Sequence, residues 1–307
     1  MSTILLLKQM LMLFAMMVAG YITFRRGLFD TVGQHQISKL IVNLLNPFLL
    51  LSALSGDKPS GGLTLSLQNL LSALIYYVLF VAISYLFFFL KKGDIQRRKL
   101  QQLMLIFSNL GFFGVPVVKA LFGDGYVIYL IFYMLFFNLI AYTLGIFIAS
   151  GGSKEGASFS PRSIVNIGTV ISVIALILYF ADVKIPETAA SFCTYMGNAC
   201  IPLSMILIGG SLAQLDLKAV FSDLEIYLFS LLRMIVVPAI CILIVRNLPF
   251  DPSIVKICCL VISMPIATLA GMLAEQYAGE GNYCNKMTAM TTVMSVITVP
   301  LLSLLYL

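Results

Sequence analysis

Charge is what this 307-residue chain has least of: its 19 basic and 13 acidic residues make up 10% of it, against 60% hydrophobic residues. With a mean hydropathy of +1.02, it has too few polar side chains to coat a soluble body of this length, so its solvent is lipid. Histidine is nearly absent. The only one, His35, stands between Gln34 and Gln36 at a helix edge and reads as a solvated loop residue. Without a second histidine there is no metal cluster to build, and the Gly-Gly-Ser runs at 151 and 209 have no base to activate a serine. Asp124, in Phe-Gly-Asp-Gly, lies at a turn and has no second buried acid to form a dyad. An enzyme is therefore excluded, and no cofactor or metal is expected. The six cysteines (Cys193, Cys200, Cys241, Cys258, Cys259 and Cys284) lack paired spacing and read as small buried hydrophobes. No basic run interleaves with aromatics, which excludes nucleic acid as a partner. The apolar run from Gln9 to Phe24 is followed by Arg25 and Arg26 rather than a cleavage site, so the first helix stays.

Long apolar runs are plentiful. About 20 such residues cross the roughly 30 Å hydrocarbon layer as a helix. Ten spans meet that test: Ile4 to Phe24, Ile37 to Ser55, Leu65 to Leu90, Leu100 to Phe122, Tyr126 to Ala149, Ser163 to Ala181, Thr188 to Ala213, Ile226 to Val245, Ile254 to Tyr277 and Tyr283 to Tyr306. The expected fold class is an all-α membrane protein. Alternating the loops between two faces puts twelve basic residues on one, among them Arg25, Arg26 and the run from Lys91 to Lys99. Six fall on the other, including Lys8, Lys119, Arg246 and Lys256, and Arg233 is left inside a helix. Cytoplasmic loops retain Lys and Arg, so both termini are expected outside an inner (plasma) membrane.

The halves repeat. Sliding the chain by 155 residues lays Asn46-Pro47 on Ile201-Pro202, and sliding it by 156 lays Gly123-Asp124-Gly125 on Gly279-Glu280-Gly281. Five spans per copy is an odd number, so the second copy is inverted, a plan common among secondary transporters. The expected organisation is residues 1–149 as the first repeat, 150–162 as a short cytoplasmic loop and 163–307 as the second repeat.

The fourth span of each repeat carries helix breakers at its middle: Gly111, Gly114 and Pro116 in one, Pro265 followed by Ile266 in the other. Interrupted helices at matching positions are the strongest pointer in a sequence to a transporter binding site, because half-helix N-termini offer N–H groups to an anion. The substrate is expected where the two breaks cross, with Asn109 as its main side-chain contact and Ser108 and Asn138 as weaker companions. The competing role for Asn109 is to cap unwound backbone. Arg233 in mid-helix costs at least about 2.5 kcal/mol on insertion unless it finds a partner, which is either backbone carbonyls or an anionic substrate.

The run from Asn109 to Pro116 (Asn-Leu-Gly-Phe-Phe-Gly-Val-Pro), Arg233 to Pro238 (Arg-Met-Ile-Val-Val-Pro) and Met264-Pro265 resemble motifs of the auxin efflux carrier family, which includes plant auxin carriers and bacterial dicarboxylate carriers. The resemblance runs through all ten spans. Phe107 stands where plant carriers have a second asparagine, and Ala270 where a second proline is expected; with the short middle loop, this points to a bacterial-type member. The resemblance implies an NhaA-like fold with broken crossover helices 4 and 9. Helices 1, 2, 6 and 7 would form a scaffold and homodimer interface, and helices 3–5 and 8–10 a moving, elevator-type transport unit. The function it implies is alternating-access transport of small organic anions, carboxylates that include dicarboxylates or auxin-like acids, with a proton or sodium as possible coupling ion. An anion channel or membrane sensor on the same scaffold is the alternative.

Overall fold

The computed structural model describes residues 3–55, 62–151, 166–183, 185–216, 220 and 222–306. Lys58, Lys154, Arg162, Lys184 and Lys218 of the charge count, most of the 150–162 loop, the start of the sixth span and Leu307 lie outside these residues. Apart from one isolated antiparallel bridge, what is described is helix, turn and loop. In chain order the helices are α1 (Thr3–Arg25), α2 (Thr31–Leu40), α3 (Asn46–Ser52), α4 (Gly62–Leu90), α5 (Ile95–Ile106), α6 (Val115–Phe122), α7 (Val127–Ile140) and α8 (Ile146–Ala149). They continue with α9 (Ile167–Phe180), α10 (Glu187–Ala213), α11 (Leu224–Leu231), α12 (Val237–Val245), α13 (Pro252–Ile262), α14 (Thr268–Ala278) and α15 (Gly281–Ser303).

Six stretches are each long and apolar enough to cross a bilayer: Leu7–Arg25, Gly62–Leu90, Val127–Ala149, Glu187–Ala213, Leu224–Val245 and Gly281–Ser303. The fourth and ninth expected spans are not continuous helices. Each is divided in the middle, which leaves the shorter apolar pieces Leu110–Phe122 and Pro252–Ile262. The protein is thus a helical, multi-pass membrane protein.

Helix α4 keeps its polar residues inside and much of its apolar surface outside. On α4, Ser66, Asn69, Ser72, Tyr76, Tyr77 and Ser84 are buried, whereas Leu63, Leu67, Leu71, Leu74, Val78 and Leu86 are exposed. In water this pattern would be upside down; against hydrocarbon it puts each hydroxyl and amide where another helix can satisfy it. Asn69 Nδ2 donates to the Tyr129 carbonyl at 2.8 Å, and Ser72 Oγ lies 2.7 Å from Tyr133 Oη. All six cysteines are buried and unpaired by disulfide.

Elsewhere, absent side chains set the packing. α1 lies against α10 so closely that a Cβ on Gly20 would stand 2.2 Å from the Ile206 carbonyl oxygen, and one on Gly209 would stand 1.9 Å from that of Met17. A Cβ on Gly197 would meet Leu49 Cα of α3 at 2.7 Å. Small residues let helix backbones touch in lipid, where burial of apolar surface gives no drive to associate.

Three prolines widen their helices. The residue before each, Asn46, Val115 or Val237, donates to a carbonyl five residues back (Ile41, Leu110 and Leu232). π turns therefore occupy Ile41–Leu45, Leu110–Gly114 and Leu232–Val236, just ahead of Pro47, Pro116 and Pro238. A proline has no N–H for the preceding turn and its ring crowds the carbonyl four residues back, so one wide turn relieves the clash. The rule has exceptions: Pro202 and Pro300 sit inside α10 and α15 without a π turn, and the one at Ala141–Gly145 has no proline.

This corrects one expectation. Gly111, Gly114 and Pro116 are not in unwound backbone; the glycines lie in a π turn and Pro116 in the first turn of α6. The non-helical residues are Phe107 to Asn109, where the chain leaves α5 with Phe107 at φ −101°, ψ 113°. In the second segment Pro265 does lie in the break, between α13 and α14.

Candidate functional site

The two breaks are hydrogen-bonded to each other. Asn109 N–H donates to the Pro265 carbonyl at 2.8 Å and Ala267 N–H to the Phe107 carbonyl at 2.9 Å, which pairs Ser108 with Ile266 as a single antiparallel bridge. Unwound backbone deep in a helical membrane protein has to find such partners. Thr291 Oγ1 on α15 accepts from Ile266 N–H at 3.3 Å. Gly114 makes room for the second break: a Cβ there would stand 2.8 Å from Met264 Sδ.

Ser108 gathers the polar side chains. Its Oγ accepts from Tyr76 Oη at 2.7 Å and from Arg233 Nη2 at 2.6 Å, and the Arg233 guanidinium carbon lies 5.0 Å from the Phe80 ring centroid. Arg233 is fully buried, and its Nε and Nη1 have no protein hydrogen-bond partner. Among the described residues no carboxylate pairs with it. Its place follows from Pro238, because Arg233 sits in the π turn that this proline imposes.

Asn109 divides its two ends. Its Oδ1 caps the Leu110–Gly114 turn, accepting from Phe112 N–H at 3.3 Å, while its Nδ2 is buried with no partner. At the other break Ala267 supplies no side-chain cap to α14. The structure thus brings Ser108, Asn109, Gly111, Gly114, Pro116, Pro265, Ile266 and Arg233 into two adjoining segments and one buried cluster. Asn138 is placed differently: half-buried on α7, it has its amide nitrogen 3.7 Å from where a Cβ on Gly168, at the start of α9, would stand.

A cavity of about 810 Å³ lies beside this region; Ser108, Asn109, Pro265, Ile266 and Arg233 are not among the residues that line it. Four helices each give it one face: Thr31, Gln34, His35 and Ser38 of α2, Leu207 and Ser211 of α10, Thr268, Gly271 and Glu275 of α14, and Asn285, Thr288 and Thr292 of α15. Phe112 and Thr268, at the starts of the two half-helices, also line it. His35 is therefore no loop residue. It lies on α2, whose first turn is fixed earlier in the chain than Ile37 because Asp30 Oδ1 caps it by accepting from Gly33 N–H at 2.8 Å.

Sequence reasoning missed Tyr76, Thr291 and the polar face of α15. The signal was present: Asn285, Thr288 and Thr292 recur at helical spacing within an apolar span.

The chain is similar to known transporters along nearly its whole length. A protein of Methanothermobacter thermautotrophicus named only as a transporter is 24% identical over 96% of this chain and 97% of its own. A Rhizobium meliloti protein named as a candidate malonate transporter is 25% identical over 96% and 93%. A Saccharomyces cerevisiae transporter is 41% identical over 59 residues, 19% of this chain and 10% of its own. The family described as membrane transport protein matches residues 5–168 and 157–303, and the chain belongs to this family, the auxin efflux carriers whose motifs it bears.

Proposed function

We propose that the protein is a secondary transporter that carries small organic anions, carboxylates above all, across an inner membrane by alternating access. The observation that supports it best is the hydrogen-bonded pair of helix breaks, which present the capped and uncapped starts of two half-helices to one cavity. Helix N-termini and unpaired amide donors replace the hydration of an anion without the cost of a buried positive partner. The Rhizobium meliloti relative is named for malonate, which is a small carboxylate.

In this reading the chain crosses the membrane ten times as two inverted repeats, with both termini outside. The cavity then opens to the cytoplasm, since α2, α10 and α15 meet it on the side of the basic loops. Asn109 Nδ2 and the N–H groups leading α14 hold the substrate. Helices α1, α2, α3, α9 and α10 act as the scaffold and homodimer contact, and the remaining helices move as one elevator. The coupling ion, a proton or sodium, is a matter for experiment.

Uptake into proteoliposomes across a panel of mono- and dicarboxylates, with and without proton and sodium gradients, tests the proposal. Saturable uptake and exchange between internal and external substrate are expected. Flux that does not saturate would make the protein a channel, and binding without flux a sensor.

A further inference from the structure

The cavity walls carry an unusual charge inventory. Among the described residues that line it there is no lysine or arginine; Glu275 and His35 are its only titratable side chains. Glu275 has no cationic partner there, and its Oε2 accepts from Gly281 N–H at 3.0 Å. Arg233 does not line the cavity; it is buried behind the crossing, bonded to Ser108. The donors in the cavity are neutral, so a second negative charge on the same ligand would meet no cation among the lining residues and would face Glu275, a charge of its own sign.

The neutral donors stand together. Asn285, Thr288 and Thr292 are spaced three and four residues apart on α15, on one face of the helix. Asn285 Oδ1 lies over Gly271 of α14, in the space that a Cβ there would take, so the glycine lets the amide rest against α14. Thr292 Oγ1 donates back to the Thr288 carbonyl at 2.7 Å, as threonines in membrane helices do. Thr288 does not: its Oγ1 has no partner, although the residue is only 7% exposed and lines the cavity. Directly across from this face, α14 begins at Thr268 without a side-chain cap.

We infer that Asn285 and Thr288 of α15, with the uncapped start of α14, form a carboxylate-binding subsite selective for singly charged organic anions over dianions. The inference rests on the transporter reading and assigns its substrate class. The carboxylate accepts from the Thr288 hydroxyl, the Asn285 amide and the leading N–H groups of α14, whose dipole favours its one charge. The rest of the ligand is neutral and faces Leu207, Ile208 and Phe112.

The test uses the purified full chain in lipid nanodiscs, titrated at one neutral pH with malonate and with its monomethyl ester, which has the same skeleton and one charge fewer. Binding is read by thermal shift, and carriage in proteoliposomes is measured in parallel. The monoester is expected to bind at least tenfold more tightly than malonate. Thr288→Val and Asn285→Ala are expected to weaken it at least tenfold while the unliganded melting temperature stays unchanged. Malonate binding as tightly as the ester overturns the charge selectivity. Wild-type affinity in both variants overturns the subsite, as does a failure of both ligands to bind. Carriage with wild-type kinetics in the two variants sinks the subsite and leaves the transporter reading standing; binding without carriage does the reverse.

Discussion

Arg233 and Ser108, 125 residues apart in the chain, meet at 2.6 Å, and that bond ties the only buried arginine among the described residues to the point where the two helix breaks pair. A guanidinium placed there is costly, and replacing a buried charge by an apolar side chain of similar volume is often neutral or stabilising. Arg233→Met is therefore expected to melt no lower than the native protein, yet to transport at least tenfold more slowly, about 1.4 kcal/mol in the barrier. Arg233→Lys keeps the charge without the planar fork and is expected to fall between the two. Thermal melting and initial uptake rates, measured side by side, decide it. Undiminished uptake in Arg233→Met would make the arginine dispensable.

Pro238 controls that arginine from five residues away. With the proline gone, the turn at Leu232–Val236 can close to ordinary α-helical bonding, which turns Arg233 away from Ser108. Pro238→Ala should lose about tenfold in uptake, comparable to the loss of a transition-state contact near 1.4 kcal/mol, with little change in melting temperature. Pro202→Ala, in a helix with no π turn, is the control and should transport normally. Equal behaviour of the two variants would disprove the link.

How much of this was legible beforehand differs from residue to residue. The break expected at Pro265 is where the structure has it, between α13 and α14. Pro116 was misread: a proline can also be absorbed by widening the turn before it, and the choice depends on what surrounds that turn. Asn109 was singled out as a polar residue in an apolar span, but its division into a capping oxygen and a free nitrogen is set by local φ and ψ. Tyr76 left no trace, since a tyrosine in an apolar helix looks like any other aromatic until its hydroxyl finds Ser108.

Gly20 and Gly209 at the α1–α10 contact should be far less tolerant than Gly111. Gly209→Ala drives a methyl into the Met17 carbonyl, and overpacking against backbone is expected to cost about 1–3 kcal/mol or more. Gly111→Ala meets nothing within 4 Å and should be neutral or stabilising by up to about 1 kcal/mol. Denaturation in detergent at matched conditions compares them. A Gly209→Ala protein as stable as Gly111→Ala would mean that the helices separate freely.

Membrane sidedness is open to a direct check. The basic-residue asymmetry predicts that a reporter fused after Leu307 is active outside the cytoplasm. Activity on the cytoplasmic side would remove both the assigned orientation and the inverted-repeat plan.

Arg233 without a counter-charge also has an electrical meaning. If it travels with the crossing, Arg233 adds one positive charge to whatever the empty carrier moves through the field of the bilayer, and a bound singly charged anion offsets that addition. Through this residue a membrane potential, worth about 2.3 kcal/mol per charge for each 100 mV, then acts on the unloaded return and spares the loaded step. By this route voltage would bear on how quickly the carrier resets, not on how well it holds its cargo.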